Sequence, residues 1–386
     1  MHKNILFYYL LLSYNIYAQT KKVTVIIISL VIIGIGTALS LLLLVLTQND
    51  NTNNNSNSNL QPIIQQTRPI KIAFSPWVGD APLVLAADKF FKQNNVLVQL
   101  ILTENFPKAE ELYLNGSVDG LSSVYTNTIF HNSEGINSRL VWVYDYSDTA
   151  DAIVALKNIT TVADLKGKKI GIEGINSFSN IFVLQALANA GLYEKDVQFE
   201  DIPAQDVLKA LNNRQIAAGH TWGPTKFAAV QKGYRILATA KDVPGIIADV
   251  LIFNSKIVEK RPDDIQAIVR SLIEGKEYLD NNKEQSLQIL SNFFNMSRQQ
   301  VLEGFEGIRL LGLKDNVEAM NKSAGGGGSS SSNLTLYHSG DIIAKYLLDR
   351  GQIRQIPHFD EIIDPKFVNT AAFSTTTTAS KKSLRN

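Results

Sequence analysis

The chain has 386 residues, enough for a two-domain α/β protein with extensions. Its 37 Lys and Arg against 36 Asp and Glu leave a net charge of +1, which gives no footing for nucleic acid or an acidic polymer as partner. Cysteine is absent, which excludes disulfides, thiolate metal sites, cysteine nucleophiles and a lipidated cysteine anchor; the five histidines (His2, His131, His220, His338, His358) show no paired spacing, so neither metal nor cofactor is expected.

Residues 1–22 read as a cytoplasmic N-terminal segment, in which Ile5–Leu12 is apolar but too short to span a bilayer. Residues 23–46 are unbroken apolar sequence with only Thr and Ser as polar relief. At ~1.5 Å per residue they reach roughly 36 Å, a transmembrane length. Lys21 and Lys22 flank the start, and no Lys or Arg follows until Arg68. The positive-inside rule then predicts a single-pass protein of the cell membrane with an extracytoplasmic C-terminal domain. Residues 47–68, rich in Asn, Ser and Gln, read as a flexible tether. Asn54, Asn115, Asn158, Asn295, Asn321 and Asn333 open Asn-x-Ser/Thr triplets, weak glycosylation signals that this location permits.

In the folded part, strands are expected at Ile70–Phe74, Val96–Leu102, Ser117–Leu121 and Leu140–Tyr144. Helices are expected between them at Leu83–Gln93, from Pro107 to Leu114 and from Tyr125. This β-α-β-α rhythm is that of a parallel sheet. It restarts at Ala152–Leu156 and continues through strands at Lys169–Glu173, Val197–Asp201, Ala217–Thr221 and Arg235–Ala238. Val250–Phe253 is a further strand. Helices follow at Arg261–Asn281, Lys283–Phe293 and Ser297–Phe305, then a Gly/Ser loop at Ser323–Asn333, a last helix at Asp341–Arg350 and a polar tail. The division expected is discontinuous: lobe I from residues 69–148 and 250–368, lobe II from 149–249, and a disordered tail at 369–386. Two chain crossings would make a two-strand hinge and a cleft.

The stretch from Asp164 to Gly191 carries the best local signals. A strand from Lys169 leads through Gly174-Ile175-Asn176 into a helix from Phe178, with Ser177 as N-cap and Gly191 as left-handed C-cap. Such a helix start presents N–H groups and a positive dipole to an anion.

Several motifs occur in a fixed order: Ser75-Pro76-Trp77 with Gly79 and Pro82-Leu83, Val118-Asp119-Gly120, Asp164-Leu-Lys-Gly-Lys-Lys-Ile-Gly171, Ala188-Asn-Ala-Gly-Leu192, Trp222-Gly-Pro224, Asp249-Val-Leu251 and Arg261-Pro262. In this order they resemble the solute-binding proteins of ABC importers for nitrate, sulfonates and taurine, and their thiamine-precursor-binding relatives, over residues 69–368. The resemblance implies a type II periplasmic-binding fold, in which two α/β lobes close over a small molecule, with an ABC permease and ATPase as partners. It implies a binding protein for a small organic anion, with a thiamine pyrimidine precursor or a ligand-sensing role as alternatives. A pyrimidine-synthesising enzyme of this fold is the remoter reading, because such enzymes rely on a cysteine-rich motif.

The resemblance sets the candidate site. Trp77 walls a ligand or is a core aromatic under its loop. Asp80 pairs with a ligand amine or is solvated. Ser122, Ser123 and Tyr125 offer hydroxyls and N–H groups at one helix start, or merely cap it. Asn176, Ser177 and Phe178 stand opposite them. Trp222 follows a strand at the switch-point edge, and His220 beside it is expected to be structural. Asp249 opens the returning strand, binding an amine or holding the hinge. With Asp80 and Asp249 included, an amino-sulfonate or aminopyrimidine fits better than nitrate.

Overall fold

Short apolar runs bounded by Gly, Pro and Asn form the strands, and 3.6-period runs form the helices packed on them. The structure is a computed structural model describing residues 68–322 and 335–383. By internal contacts the chain divides into Met1–Gln66 and Thr67–Asn386, and the described residues lie in the second unit. The expected membrane segment at residues 23–46, the tether up to residue 67 and the Gly/Ser stretch lie outside the described residues. No described helix is long and apolar enough to cross a membrane.

Eleven described strands run in chain order as β1 (Ile70–Phe74), β2 (Val98–Leu102), β3 (Gly120–Val124), β4 (Ser138–Ser147), β5 (Ala152–Ala155), β6 (Lys169–Ile172), β7 (Gln198–Asp201), β8 (Ala218–Thr221), β9 (Arg235–Thr239), β10 (Ala248–Asn254) and β11 (Ile308–Leu310). They build two sheets, ordered β11-β4-β10-β3-β1-β2 and β7-β6-β8-β5-β9. Central β1, β3 and β5 are almost wholly buried, whereas edge strands β2 and β7 are half-exposed, as expected when helices cover both faces.

The sheets are mixed rather than purely parallel. The pairs β1–β2, β1–β3, β6–β7 and β6–β8 are parallel. By contrast β10 runs antiparallel to β3 and β4, β5 to β8 and β9, and β11 to β4. Strand spacing and composition do not distinguish the two polarities, so the rhythm read in the sequence was blind to the reversed strands. The chain leaves the first sheet between Ser147 and Ala152 and returns between Thr239 and Ala248. These two passages run side by side: the Ser147 amide donates to the Ile247 carbonyl at 3.1 Å, and the Ala240 amide to the Asp151 carbonyl at 3.1 Å.

Helix details follow local chemistry. Ser177 caps the helix Phe178–Asn189 by accepting from the Asn180 amide, and Gly191 takes φ +74° just beyond its end, the left-handed geometry glycine tolerates. The helix Pro262–Asn281 buries Ile265, Ile268, Val269 and Leu272 against the first sheet's core, each contributing ~1.5–3 kcal/mol of transfer free energy. Its Gly275 admits the turn at Pro82: a Cβ there would stand 2.4 Å from the Pro82 carbonyl oxygen.

Several segments differ from expectation, among them the helix expected at Asp341–Arg350, which starts at Leu336 because the Thr335 side chain caps it there. The helix expected at Leu83–Gln93 begins earlier, as a 3-10 turn at Val78–Asp80 and an α-helix at Ala81–Leu85, because Pro82 suits a first helical turn. It then widens into a π turn at Ala86–Phe90. The strand β11 and the helix Leu313–Met320 fill a region left unassigned. A helix spans Lys366–Ser383 where a disordered tail was expected: Phe367 and Val368 are buried at its start, and no Gly or Pro interrupts it.

Candidate functional site

The loops at the ends of β1, β3, β6 and β8 bring their residues together between the two sheets. The result is a cavity of about 30 Å³, room for a water or two at ~10–15 Å³ each. From the first sheet come Trp77, Asp80, Phe106, Ser122 and Asp249; Asp151, Phe178 and Trp222 come from the second. Aromatic rings meet across it: Trp77 and Trp222 lie edge to face at 6.4 Å and Phe106 and Phe178 at 5.7 Å, while Phe178 and Trp222 of the second sheet lie tilted at 5.7 Å. These separations are those of touching aromatic pairs, so the walls stand against one another.

Carboxylates share the cavity wall with the rings or lie close behind it. Asp80 is 1% exposed and accepts a 2.6 Å hydrogen bond from the Ser122 hydroxyl. Asp145 is fully buried and accepts from Trp77 Nε1 at 3.1 Å. Asp249 is the cross-strand partner of Asp145. Asp151 is 3% exposed, with His220 Nε2 at 2.9 Å from its Oδ1. Burial pushes Asp80, Asp145 and Asp249 above the ordinary carboxylate range, and like charges add to the shift of Asp249, the Asp145 carboxylate foremost. The His220 Nδ1 lies 2.9 Å from Ser179 Oγ, so both ring nitrogens are engaged.

The sequence-expected residues divide into two groups. Trp77, Asp80, Ser122, Phe178, Trp222 and Asp249 line the cavity. Ser123, Tyr125, Asn176 and Ser177 do not line it. Ser123 Oγ donates to the Val124 carbonyl and accepts from Thr128. Tyr125 is fully buried with its hydroxyl beside Gly340, because a residue in the first turn of its helix turns onto the neighbouring helix Leu336–Asp349. Asn176 accepts from Gln352. Ser177 is occupied as cap and donates to the Gly174 carbonyl at 2.8 Å.

The helix start at Phe178 also differs from expectation. The Phe178 amide donates to Asn127 Oδ1 at 2.7 Å, and the Asn180 amide to Ser177 Oγ at 3.3 Å. Protein acceptors thus occupy donors that were expected to hold an anion.

Sequence reasoning missed Phe106, Asn127, Asp145 and Asp151. Phe106 follows the Asn105 cap at the end of β2, where the edge rule that nominated Trp222 would have reached it. Asp151 immediately precedes β5 as Asp249 opens β10, so the reasoning applied to one crossing fits both. Asn127 and Asp145 gave no local signal. Among the described residues no group of acidic or histidine side chains has metal-holding geometry.

A family model described as NMT1/THI5 like matches residues 78–286. A putative binding protein of Brucella abortus is 26% identical over 165 residues, 39% of this chain and 48% of that relative. The chain thus spans about half the length of the first curated relatives it matches. A putative aliphatic sulfonates-binding protein of Escherichia coli is 28% identical over 219 residues, 55% of this chain and 68% of the relative. Among solved structures, the ligand-binding component of an ABC-type import system from Staphylococcus aureus superposes with TM-score 0.65 at 16% identity, covering 78% of this chain and 98% of the other. That likeness establishes the α/β periplasmic-binding fold.

Proposed function

Since this chain belongs to the NMT1/THI5-like family, we propose that it is the solute-capturing component of an ABC-type importer. A small organic molecule would enter between the two sheets, which would close on it and present it to a permease served by an ATPase. Residues 69–148 with 250–368 would act as one lobe and 149–249 as the other. Residues 23–46 would anchor the chain in the membrane, and the tether would keep it at high local concentration beside the permease. The supporting observation is the aromatic contact of Trp77 from one sheet with Trp222 from the other at 6.4 Å, on the wall of a cavity between them. The relatives and neighbours named above, described as binding proteins and a transport component, support a carrier over a catalyst.

The test is a thermal-shift screen of the full chain against small sulfonates, nitrate, bicarbonate, aminopyrimidines and quaternary amines. A solute at 100 times its dissociation constant stabilises the folded state by about 2.7 kcal/mol. A shift with one class, lost in Trp77→Ala and Trp222→Ala, is the expected result. A well-folded sample that no solute stabilises would count against the receptor reading.

A further inference from the structure

The charge of the cavity narrows the solute further than the family does. Three of its lining residues are carboxylates, Asp80, Asp151 and Asp249, and none is Lys, Arg or His. Asp80 is 1% exposed and accepts from the Ser122 hydroxyl at one oxygen. A carboxylate this buried on a cavity wall is costly to charge unless a ligand supplies the counter-charge.

The donors that would serve an anion are turned elsewhere. The Ser122 hydroxyl goes to Asp80, Trp77 Nε1 to Asp145, and the Phe178 amide to Asn127. Four aromatic rings share the cavity wall, and a ring face attracts cations through its quadrupole.

Resting on the receptor reading, we propose that the solute is a small organic cation, its charge held among Asp80, Asp151 and Asp249 and its apolar surface against Trp77 and Trp222. A bare anion would face three carboxylates across a space with no positive side chain on its wall.

The charged groups around the cavity bear this out element by element. Asp145 on β4 backs Asp249. His220 on β8 is engaged by Asp151. Lys226, in the helix Gly223–Gln231, donates from Nζ to the Thr149 carbonyl at 2.9 Å, and Arg309 on β11 lies over the Tyr146 ring. Neither cation lines the cavity. Burial raises Asp80 and Asp249 above the ordinary carboxylate range, so a cation that enters favours their charged forms and releases protons. Its affinity therefore rises with pH, whereas an anion's falls.

The experiment is isothermal titration of the full chain with N-methylpyridinium and with methanesulfonate at pH 6, 7 and 8, in two buffers of different ionisation enthalpy. The expected result is binding of N-methylpyridinium, at least tenfold tighter at pH 8 than at pH 6, with proton release. Asp249→Asn and Asp80→Asn should each weaken it tenfold or more. Both exchanges preserve shape and relieve like-charge repulsion, and a urea midpoint no lower than that of the unaltered chain will show that the variants fold. Methanesulfonate binding in preference to the cation overturns the charge assignment and leaves the receptor reading intact. Cation affinity indifferent to both variants, or falling with pH, also overturns it. If the cation fails to bind, the proposal fails; if no solute of the wider screen binds either, the receptor reading fails with it.

Discussion

The backbone amide of Phe178 donates to Oδ1 of Asn127 at 2.7 Å, joining the start of a helix on the second sheet to a helix on the first. Asn127 is itself 3% exposed and donates from Nδ2 to Glu110 at 2.8 Å. Asn127→Ala strips the buried amide of its acceptor and Glu110 of its donor. A loss of about 1–3 kcal/mol is expected, read as a lower urea midpoint. An unchanged midpoint would mean that the contact across the cleft contributes nothing net.

Trp77 has two separable roles, as ring and as donor. Trp77→Phe keeps an aromatic face toward Trp222 and removes the 3.1 Å bond to Asp145. The fully buried Asp145 would then lose its indole donor, so about 1–3 kcal/mol of stability should be lost while solute affinity falls less than in Trp77→Ala. Equal affinity losses in the two variants would contradict the separation.

Stability should fall as pH rises above neutrality. Burial, the leading cause, raises Glu110 to about 7 and Glu173 to about 8. An unfolded chain gives up those protons near pH ~4.3, so between there and pH 8 the native state binds more protons than the unfolded one. The stability that protonation confers is complete below that range and is lost as pH rises through the folded values, at about 1.4 kcal/mol per pH unit for one fully shifted group. His131, lowered by burial to about 4, opposes this: its contribution is present above pH ~6.5 and lost as pH falls toward 4. Above pH 6.5 the buried acids act without that opposition. Urea midpoints should therefore decline from pH 6.5 to 8.5, and Glu173→Gln should flatten the decline. A midpoint flat or rising over this range would refute the assignment.

Gly275→Ala sets helix propensity against packing. Alanine favours the helix by about 1 kcal/mol. The added methyl would meet the Pro82 carbonyl oxygen at 2.4 Å, a backbone atom that no rotamer change can move. Overpacking of this kind costs about 1–3 kcal/mol, so a net loss in thermal stability is expected. A stabilised variant would show that the two helices slide apart freely.

What was legible in the sequence was what local chemistry decides. Ser177 and Gly191 announced the ends of their helix through hydroxyl capping and glycine's tolerance of positive φ, and the structure has both. The apolar runs of β1, β4 and β10 marked the central strands. Strand polarity was not legible, since Val250–Phe253 reads the same in either direction. Trp77 and Trp222 were found because loops at strand ends converge on one edge. Asp145 was not, because it directly follows the apolar run Leu140–Tyr144 and reads as the polar end of that strand; only the fold sets it opposite Asp249. Tyr125 misled for a related reason: being near a helix start says nothing about which side of the helix a ring faces.

The two passages between the sheets are hydrogen-bonded neighbours, with Asp145, Asp151 and Asp249 within a few residues of them. Two adjacent strands of chain permit swinging far more readily than sliding, so on the receptor reading a movement of the sheets would pivot there. Atoms close to a pivot travel little, while those farther out sweep an arc. The carboxylates would keep nearly the same spacing at every opening angle, and the indole faces would part and rejoin. Charge would be sensed by a fixed gauge and shape by a moving jaw, so a solute could be held by its charge before its shape is tested.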